Sequence, residues 1–114
     1  MEETDPVDRQ WGDVGVLRQW LDREQRPEAV REVRMARILA IGAAYGTAAE
    51  ALNGALGLNP GPVATHSWDD VRDAVADIAV AALVALDTIA GAPEHILAAR
   101  LEELADRVPA DPLP

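Results

Sequence analysis

The chain has 114 residues, 49% of them hydrophobic, and contains no cysteine. The lack of cysteine excludes disulfides, thiolate metal sites and cysteine nucleophiles, and it fits a protein of the reducing cytoplasm. Its 10 basic residues, all arginine, stand against 20 acidic ones, which gives a net charge of −10. Because such a surface repels phosphate backbones, we expect no nucleic-acid polymer among its partners.

Length and composition predict a single helical domain over residues 11–107, flanked by two disordered tails. Residues 1–10 (MEETDPVDRQ) are acidic and polar, without the apolar run of a signal peptide. Residues 108–114 (VPADPLP) are rich in proline and show no apolar periodicity. Both ends are therefore expected to fray.

Apolar residues recur at steps of three and four along the domain, and no stretch alternates like a strand. The sequence therefore predicts an all-α bundle of about four helices. The first helix is expected over about Asp13–Gln25, and Pro27 marks the start of a second that extends to about Leu56. The third is expected over Ser67–Ala90 and the fourth over Pro93–Arg107.

The second predicted helix contains Gly42 and Gly46, four residues apart. Because glycine weakens a helix, the pair indicates close packing of another helix or a ligand, or a simple helix crossing. Arg31, Arg34 and Arg37 are interleaved with acidic residues, which favours a solvated, salt-bridged face over a phosphate clamp. The inner side is predicted to consist of Val33, Ile38, Ile41, Tyr45, Ala48 and Leu52.

The third predicted helix is unusually apolar. Ser67 followed by Asp70 predicts a capping box at its start, and Gly91 is expected just beyond its end. From Ala74 to Leu86 only one residue is polar, so the helix is predicted to be covered on all sides. A chain this small has too few helices for that, which predicts a homodimer, with a tetramer left open. The apolar run is too short for a membrane span, and no membrane partner is expected.

Asp77, the exception in that apolar run, is the residue most indicative of chemistry. A carboxylate among Val75, Ile78 and other apolar residues is costly to bury unless a cation, a donor or a ligand meets it. We therefore expect Asp77 to be buried and partnered. Glu50 on the second helix is expected to face it or, alternatively, to lie exposed on the outer side. Two facing carboxylates can begin a divalent-cation site, but two ligands alone make a poor one.

The remaining candidate residues give weaker signals. His66 and His95 show no metal-ligand spacing and are interpreted as loop or first-turn residues. Trp11, Trp20 and Trp68 are interpreted as core or interface anchors, although Trp68, beside the loop, could stack on a ring-shaped ligand. The sequence contains no nucleophile elbow, Walker loop or dinucleotide-binding fingerprint.

Three stretches follow one another between Arg37 and Glu103: RILAIGAAYGTAAEALNGALGLNP, THSWDDVRDAVADIAVAALVAL and AGAPEHILAARLEEL. In this order and spacing they resemble the MazG-like family of all-α nucleoside triphosphate pyrophosphohydrolases. The resemblance implies a helical bundle completed by dimerisation. It also implies Mg²⁺ as the family's cofactor and a nucleoside triphosphate as the family's substrate, cleaved to a monophosphate and pyrophosphate.

The same resemblance places the family's metal ligands, Glu-Glu-x-x-Glu on one helix and Glu-x-x-Asp on the next. These positions fall on Ala43, Ala44, Thr47, Ala74 and Asp77. A lysine usual in the family corresponds to Ala40, and a basic pair in the loop corresponds to Gly61 and Pro62. One carboxylate cannot position Mg²⁺, so Asp77 is a vestigial ligand and we expect neither a bound cofactor nor the family's activity.

Three hypotheses follow from these observations. The chain is a MazG-like scaffold, natural or engineered, whose emptied site no longer hydrolyses nucleotides. Alternatively, the emptied site binds or converts a small hydrophobic molecule, with Asp77 as general acid or base in surroundings shielded from water. That pocket is expected to be lined by Ala40, Ala43, Ala44, Tyr45, Thr47, Glu50, Ala74 and Trp68. The third hypothesis is a structural interaction module without a pocket.

Overall fold

The computed structural model describes residues 5–24, 29–58, 61 and 64–110. They form four α-helices, α1 (Gln10–Glu24), α2 (Val30–Ala55), α3 (Trp68–Ile89) and α4 (Pro93–Asp106). No strand is present among these residues. The predicted all-α bundle of about four helices per chain is confirmed.

The first two helices start at other positions than the sequence predicts. α1 begins at Gln10, because the carboxylate of Asp5 accepts a hydrogen bond of 2.9 Å from the Val7 amide in a turn that leads directly into the helix. Pro27, the predicted start of the second helix, lies outside the described residues, as do the ends of both predicted tails. Ala29 is extended, with φ of −151°, so α2 begins only at Val30.

The capping box predicted at the start of α3 is confirmed. The Asp70 amide donates to Ser67 Oγ at 3.2 Å, and the Ser67 amide donates to Asp70 Oδ2 at 2.8 Å. Backbone amides at the start of a helix have no partner within the helix. Here the Ser67 and Asp70 amides each donate a hydrogen bond to the side chain of the other residue. These local bonds fix where the helix begins.

Gly91 lies just beyond the end of α3, as predicted, but it is not the left-handed residue of the turn. α3 ends at Ile89, and the next residue, Ala90, is already extended, with φ of −129°. Positive φ falls instead on Ala92, at 53°, immediately before α4. A left-handed conformation is unfavourable for a residue with a Cβ atom, so this turn carries backbone strain at Ala92.

α2 and α3 form an antiparallel hairpin that contains most of the buried residues. A hydrogen bond of 3.5 Å from Arg34 to the Ile89 carbonyl joins the start of α2 to the end of α3. At the other end, the Thr65 amide donates to the Gly54 carbonyl at 3.2 Å. The small side chains of Ala48, Ala51 and Ala74 form the buried contact between the helices, with Val71 and Ile78 packed against it.

The inner side of α2 differs from the predicted one. Its buried residues are Arg37, Ala48, Ala51 and Gly54, whereas Ile38, Tyr45 and Leu52 are exposed. Small residues allow α3 to approach closely, so the hairpin contact runs along the alanines and not along the larger side chains.

The close packing expected at two glycines of α2 is absent within the single chain. A Cβ atom added at Gly42 or Gly46 would meet nothing within 4 Å, so neither residue packs closely inside the single chain. Gly54 is the close-packed glycine instead, because a Cβ there would lie 2.6 Å from Thr65 Oγ1 and would also overlap the His66 ring. The contact comes from the loop that returns to α3, which helix periodicity alone cannot indicate.

α1 is held against the hairpin by a chain of ion pairs. Arg18 Nε donates to Asp87 at 2.6 Å and Arg18 Nη1 to Asp22 at 2.8 Å, while Arg37 Nη2 donates to Asp22 at 2.8 Å. The hydrogen bond to Asp87 raises the pKa of Arg18 above its usual value. Arg37 is only 3% exposed, so the prediction of a solvated arginine face is wrong at this position.

The single chain leaves much apolar surface uncovered. No large side chain in the described part is less than 2% exposed, and Trp20 and Trp68, expected as possible anchors, are exposed. The Cα radius of gyration is 18.1 Å, against about 13 Å for a compact chain of this length. α4 makes few contacts with α3 and buries only Pro93.

None of the described helices is both long and apolar enough to cross a membrane by itself. α3 and α4 pass this length and composition criterion only when they are taken together, across a bend of 118°.

Candidate functional site

A cleft of about 330 Å³ opens on one side of the α2–α3 hairpin. We call it the acidic cleft because most of its polar side chains are carboxylates. It is lined by Thr47, Glu50, Ala51, His66, Asp70, Asp73, Ala74 and Asp77.

Helical spacing explains why these side chains share one cleft. Asp70, Asp73 and Asp77 follow one another at steps of three and four, so they lie on one side of α3. Thr47 and Glu50 are three residues apart on α2 and face the same cleft. The antiparallel hairpin therefore brings carboxylates from two helices to one surface.

Asp77 is exposed, so the prediction that it is buried is wrong for the single chain. The side of α3 that carries it borders an open cleft. Glu50 lines the same cleft, which agrees with a position facing Asp77. Its side chain is also exposed, which agrees with the alternative interpretation. Neither carboxylate forms a hydrogen bond or ion pair within the described residues.

Two other carboxylates of the acidic cleft have local partners. The Ser67 amide and hydroxyl both hydrogen-bond to Asp70, and together with nearby His66 they lower the pKa of this carboxyl. Asp73 accepts a hydrogen bond of 3.1 Å from Arg72 Nε. Both side chains are thus already engaged, although they remain exposed to solvent.

The acidic side chains do not form a metal-binding group in this arrangement. Among the described residues, no three His, Asp or Glu side chains are grouped so that they could hold one metal ion. The cleft is acidic and open, and its carboxylates are spread along the two helices.

A second cleft, of about 300 Å³, lies between α1 and the hairpin. We call it the apolar cleft. It is lined by Leu17, Trp20, Leu21, Arg37, Ala40, Asp77, Val80, Ala81 and Val84. Asp77 borders both clefts, and it is the one acidic residue among the described residues that line the apolar cleft.

The predicted pocket residues are therefore divided between different surfaces. Thr47, Glu50 and Ala74 line the acidic cleft, and Ala40 lines the apolar cleft. The remaining candidates, Ala43, Ala44, Tyr45 and Trp68, line neither cleft. Ala43 and Tyr45 are exposed on other sides of α2, and Trp68 is exposed at the start of α3.

Four residues that line the acidic cleft were not predicted as site residues: Ala51, His66, Asp70 and Asp73. The spacing of Asp70 and Asp73 relative to Asp77 was a usable signal, because steps of three and four place side chains on one helix side. His66 gave no such signal, since its position depends on the fold of the loop against Gly54. His95 is exposed at the start of α4, with its Nε2 3.9 Å from the Glu94 carboxylate.

The chain matches no protein-family model, and no curated protein or solved structure is detectably similar to it. Its function therefore has to be inferred from the residues that line the two clefts.

Proposed function

We propose that this chain is a MazG-like helical scaffold that acts as a cytoplasmic homodimer and no longer cleaves nucleoside triphosphates. One observation carries the proposal. Thr47, Ala74 and Asp77, three positions to which the resemblance assigns metal-binding carboxylates, line one cleft between α2 and α3. Only one of the three is acidic.

The residues present do not fit the Mg²⁺ site of the family. Mg²⁺ prefers near-octahedral coordination by oxygen atoms, and alanine side chains supply none at positions 43, 44 and 74. Other acids of the cleft do not replace them, because Asp70 is engaged with Ser67 and Asp73 with Arg72. The cleft therefore lacks the ligands for a metal ion that would activate a water for attack on a phosphate.

The apolar surface of the single chain supports the dimer in this proposal. Large exposed side chains occur on each of the helices, including Leu39 on α2, Val75 on α3 and Leu101 on α4. So many large apolar side chains left exposed by one chain favour a protein contact. A second copy would complete the core that one chain leaves small.

The proposal is tested by pyrophosphate release from each common ribo- and deoxyribonucleoside triphosphate, with Mg²⁺ or Mn²⁺. We expect no release above the buffer rate at any protein concentration. Turnover that rises with protein concentration and disappears in Asp77→Asn would contradict the proposal. Asp69→Asn is the matched control, because Asp69 is an exposed acid on α3 that does not line the acidic cleft.

A second candidate function, binding of a small hydrophobic molecule, is favoured by the apolar cleft. Its volume of about 300 Å³ and its single rim carboxylate agree with sites that are mainly apolar with few polar groups. An acid–base role for Asp77 has less support, because its exposure removes the shielding from water on which that role depends.

Fluorescence of the neutral dye N-phenyl-1-naphthylamine tests this second candidate. Ala40→Leu narrows the apolar cleft and is expected to weaken dye binding at least fivefold. Ala43→Leu is the matched control, because Ala43 is also exposed on α2 but does not line the cleft. Equal binding by both variants would exclude the apolar cleft as the binding site.

A further inference from the structure

α2 presents a second apolar stripe, separate from the side that packs on α3. Its residues recur at alternating steps of three and four, the spacing of a helix that packs along another helix. Met35, Ile38, Tyr45 and Leu56 on this stripe are between 49% and 66% exposed. We call this set the α2 stripe: Met35, Ile38, Gly42, Tyr45, Ala49, Leu52 and Leu56.

α3 extends the same apolar surface. Val75, Ala82, Leu86 and Ile89 lie on one side of α3, with Val75 and Ile89 exposed. The hydrogen bond from Arg34 to the Ile89 carbonyl crosses between the helices on this side. The acidic cleft opens on the other side of the hairpin. We call the surface formed by the α2 stripe and these four α3 residues the back face.

Charge is distributed unequally between the two sides of the hairpin. The α2 stripe contains no charged residue from Met35 to Leu56. The acidic residues Glu50, Asp70, Asp73 and Asp77 line the acidic cleft instead. Since each chain has a net charge of −10, two copies repel each other least when their acidic sides point away from each other.

The glycines of α2 have no packing role inside the single chain. Gly42 and Gly46 have no atom within 4 Å of an added Cβ, and the Tyr45 side chain between them is 66% exposed. Where two helices pack, four residues of one helix form a socket that receives one side chain from the other. The spacing of such a socket is present at Gly42, Tyr45, Gly46 and Ala49. The two glycines make this socket deep enough for an aromatic ring.

We propose that two copies of this chain associate through their back faces, with Tyr45 of each copy seated on Gly42 and Gly46 of the other. A two-fold axis near Tyr45 lets the same patch serve both copies, so the assembly closes as a dimer. The patch is about 33 Å long, from the helical rise over the α2 stripe, and about 20 Å wide, from the diameters of two adjacent helices. Its area approaches the roughly 800 Å² per partner of a stable interface.

This interface specifies the dimer of the proposed function and has a consequence for the clefts. Because the back faces are buried, the acidic cleft and the apolar cleft of both copies stay open on the outside of the dimer. Each copy then has a complete pair of clefts, and no cleft residue comes from the other copy.

Sedimentation equilibrium of the full chain and its variants tests the interface. Wild type is expected to be a dimer at micromolar concentration, and Tyr45→Glu is expected to raise the dissociation constant at least 100-fold. Leu101→Glu is the matched control, because Leu101 is equally exposed, at 66%, but lies on α4. Circular dichroism verifies that each variant keeps its helices, which we expect because neither side chain belongs to the core of the single chain.

A knob-and-socket contact also predicts compensation between two substitutions. Gly46→Leu fills the socket and is expected to weaken the dimer at least 10-fold, whereas Tyr45→Ala combined with Gly46→Leu restores most of the affinity. A wild-type chain that is monomeric throughout would overturn the proposal. So would a dimer that Leu101→Glu dissociates and Tyr45→Glu does not.

The outcomes for the interface and for the proposed loss of hydrolysis are separable. Pyrophosphate release by a dimer that Tyr45→Glu dissociates would contradict only the loss of hydrolysis. An inactive chain whose dimer is unaffected by Tyr45→Glu would contradict only the back-face interface.

Discussion

The imidazole of His66 occupies the space that a side chain at Gly54 would need. An added Cβ would overlap the ring and would lie 2.6 Å from Thr65 Oγ1. The Thr65 amide also donates to the Gly54 carbonyl at 3.2 Å. This contact closes the loop between α2 and α3 and places His66 in the acidic cleft.

Replacing Gly54 by alanine is therefore expected to destabilise the chain by about 1–3 kcal/mol, the usual effect of overpacking a buried position. Urea unfolding at one fixed protein concentration measures the change, since dimer stability depends on concentration. Gly15→Ala is the matched control, because a Cβ at Gly15 meets nothing within 4 Å. That substitution should stabilise α1 by about 0.5–1 kcal/mol. Equal effects of both substitutions would contradict the assigned contact.

Ala92→Gly is expected to stabilise the chain by about 1 kcal/mol, because it relieves the left-handed conformation of Ala92. Gly91→Ala should be neutral or slightly stabilising, since Gly91 is not among the residues with positive φ and has open space at its Cβ position. Thermal unfolding of the two single variants distinguishes the positions. Loss of stability in Ala92→Gly would show that the turn depends on the alanine side chain.

Asp22→Asn is expected to destabilise the chain by about 1–2 kcal/mol, because it weakens the charged hydrogen bond from Arg37 that joins α2 to α1 and the one from Arg18 within α1. The side chain of Asp22 is 36% exposed, so the effect should be smaller than for a fully buried pair. Urea unfolding measures it, with Glu24→Gln as the control at the exposed end of α1. If the Asp22→Asn variant is as stable as the control, the Arg37–Asp22 ion pair does not stabilise the attachment of α1.

Asp70 is expected to make the chain sensitive to acid. Its pKa is lowered in the folded state, so its contribution is complete above the unfolded value of about 3.9 and is lost as pH falls through the folded pKa. Asp70→Asn should therefore be less stable than wild type at pH 6, and this difference should shrink below about pH 4. Unfolding midpoints between pH 6 and pH 2.5 test this, with Asp8→Asn as an exposed control.

The sequence predicted those features of the fold that depend on nearby residues. The capping box of Ser67 and Asp70 is encoded within four positions, and Pro93 marks the start of α4 as expected. The buried state of Arg37 was not predictable in this way, because it depends on Asp22 from another helix. The same holds for Gly54, whose neighbours come from the returning loop.

The candidate site was predicted less completely than the fold. Periodicity identified Asp77 as unusual and placed Glu50 opposite it, and both line the acidic cleft. The apolar residues around Asp77 nevertheless suggested burial, because a sequence does not show which side of an apolar helix borders an open cleft. Asp77 is exposed because its side of α3 borders the open acidic cleft.

The central claim is that the acidic cleft is a MazG-like site without its metal-binding acids, and restoring those acids tests it most directly. The measurement is Mn²⁺ binding by isothermal calorimetry to Thr47→Glu, alone and with Ala74→Glu, because these are the two non-acidic ligand positions that line the acidic cleft. The single variant is included because Ala74 is buried and its replacement disturbs packing. Ala98→Glu/Ala99→Glu on exposed α4 controls for added charge. We predict that a restored chain binds Mn²⁺ at least 10-fold more tightly than wild type and the α4 control. Folded restored chains that bind Mn²⁺ no better than the control would contradict the claim.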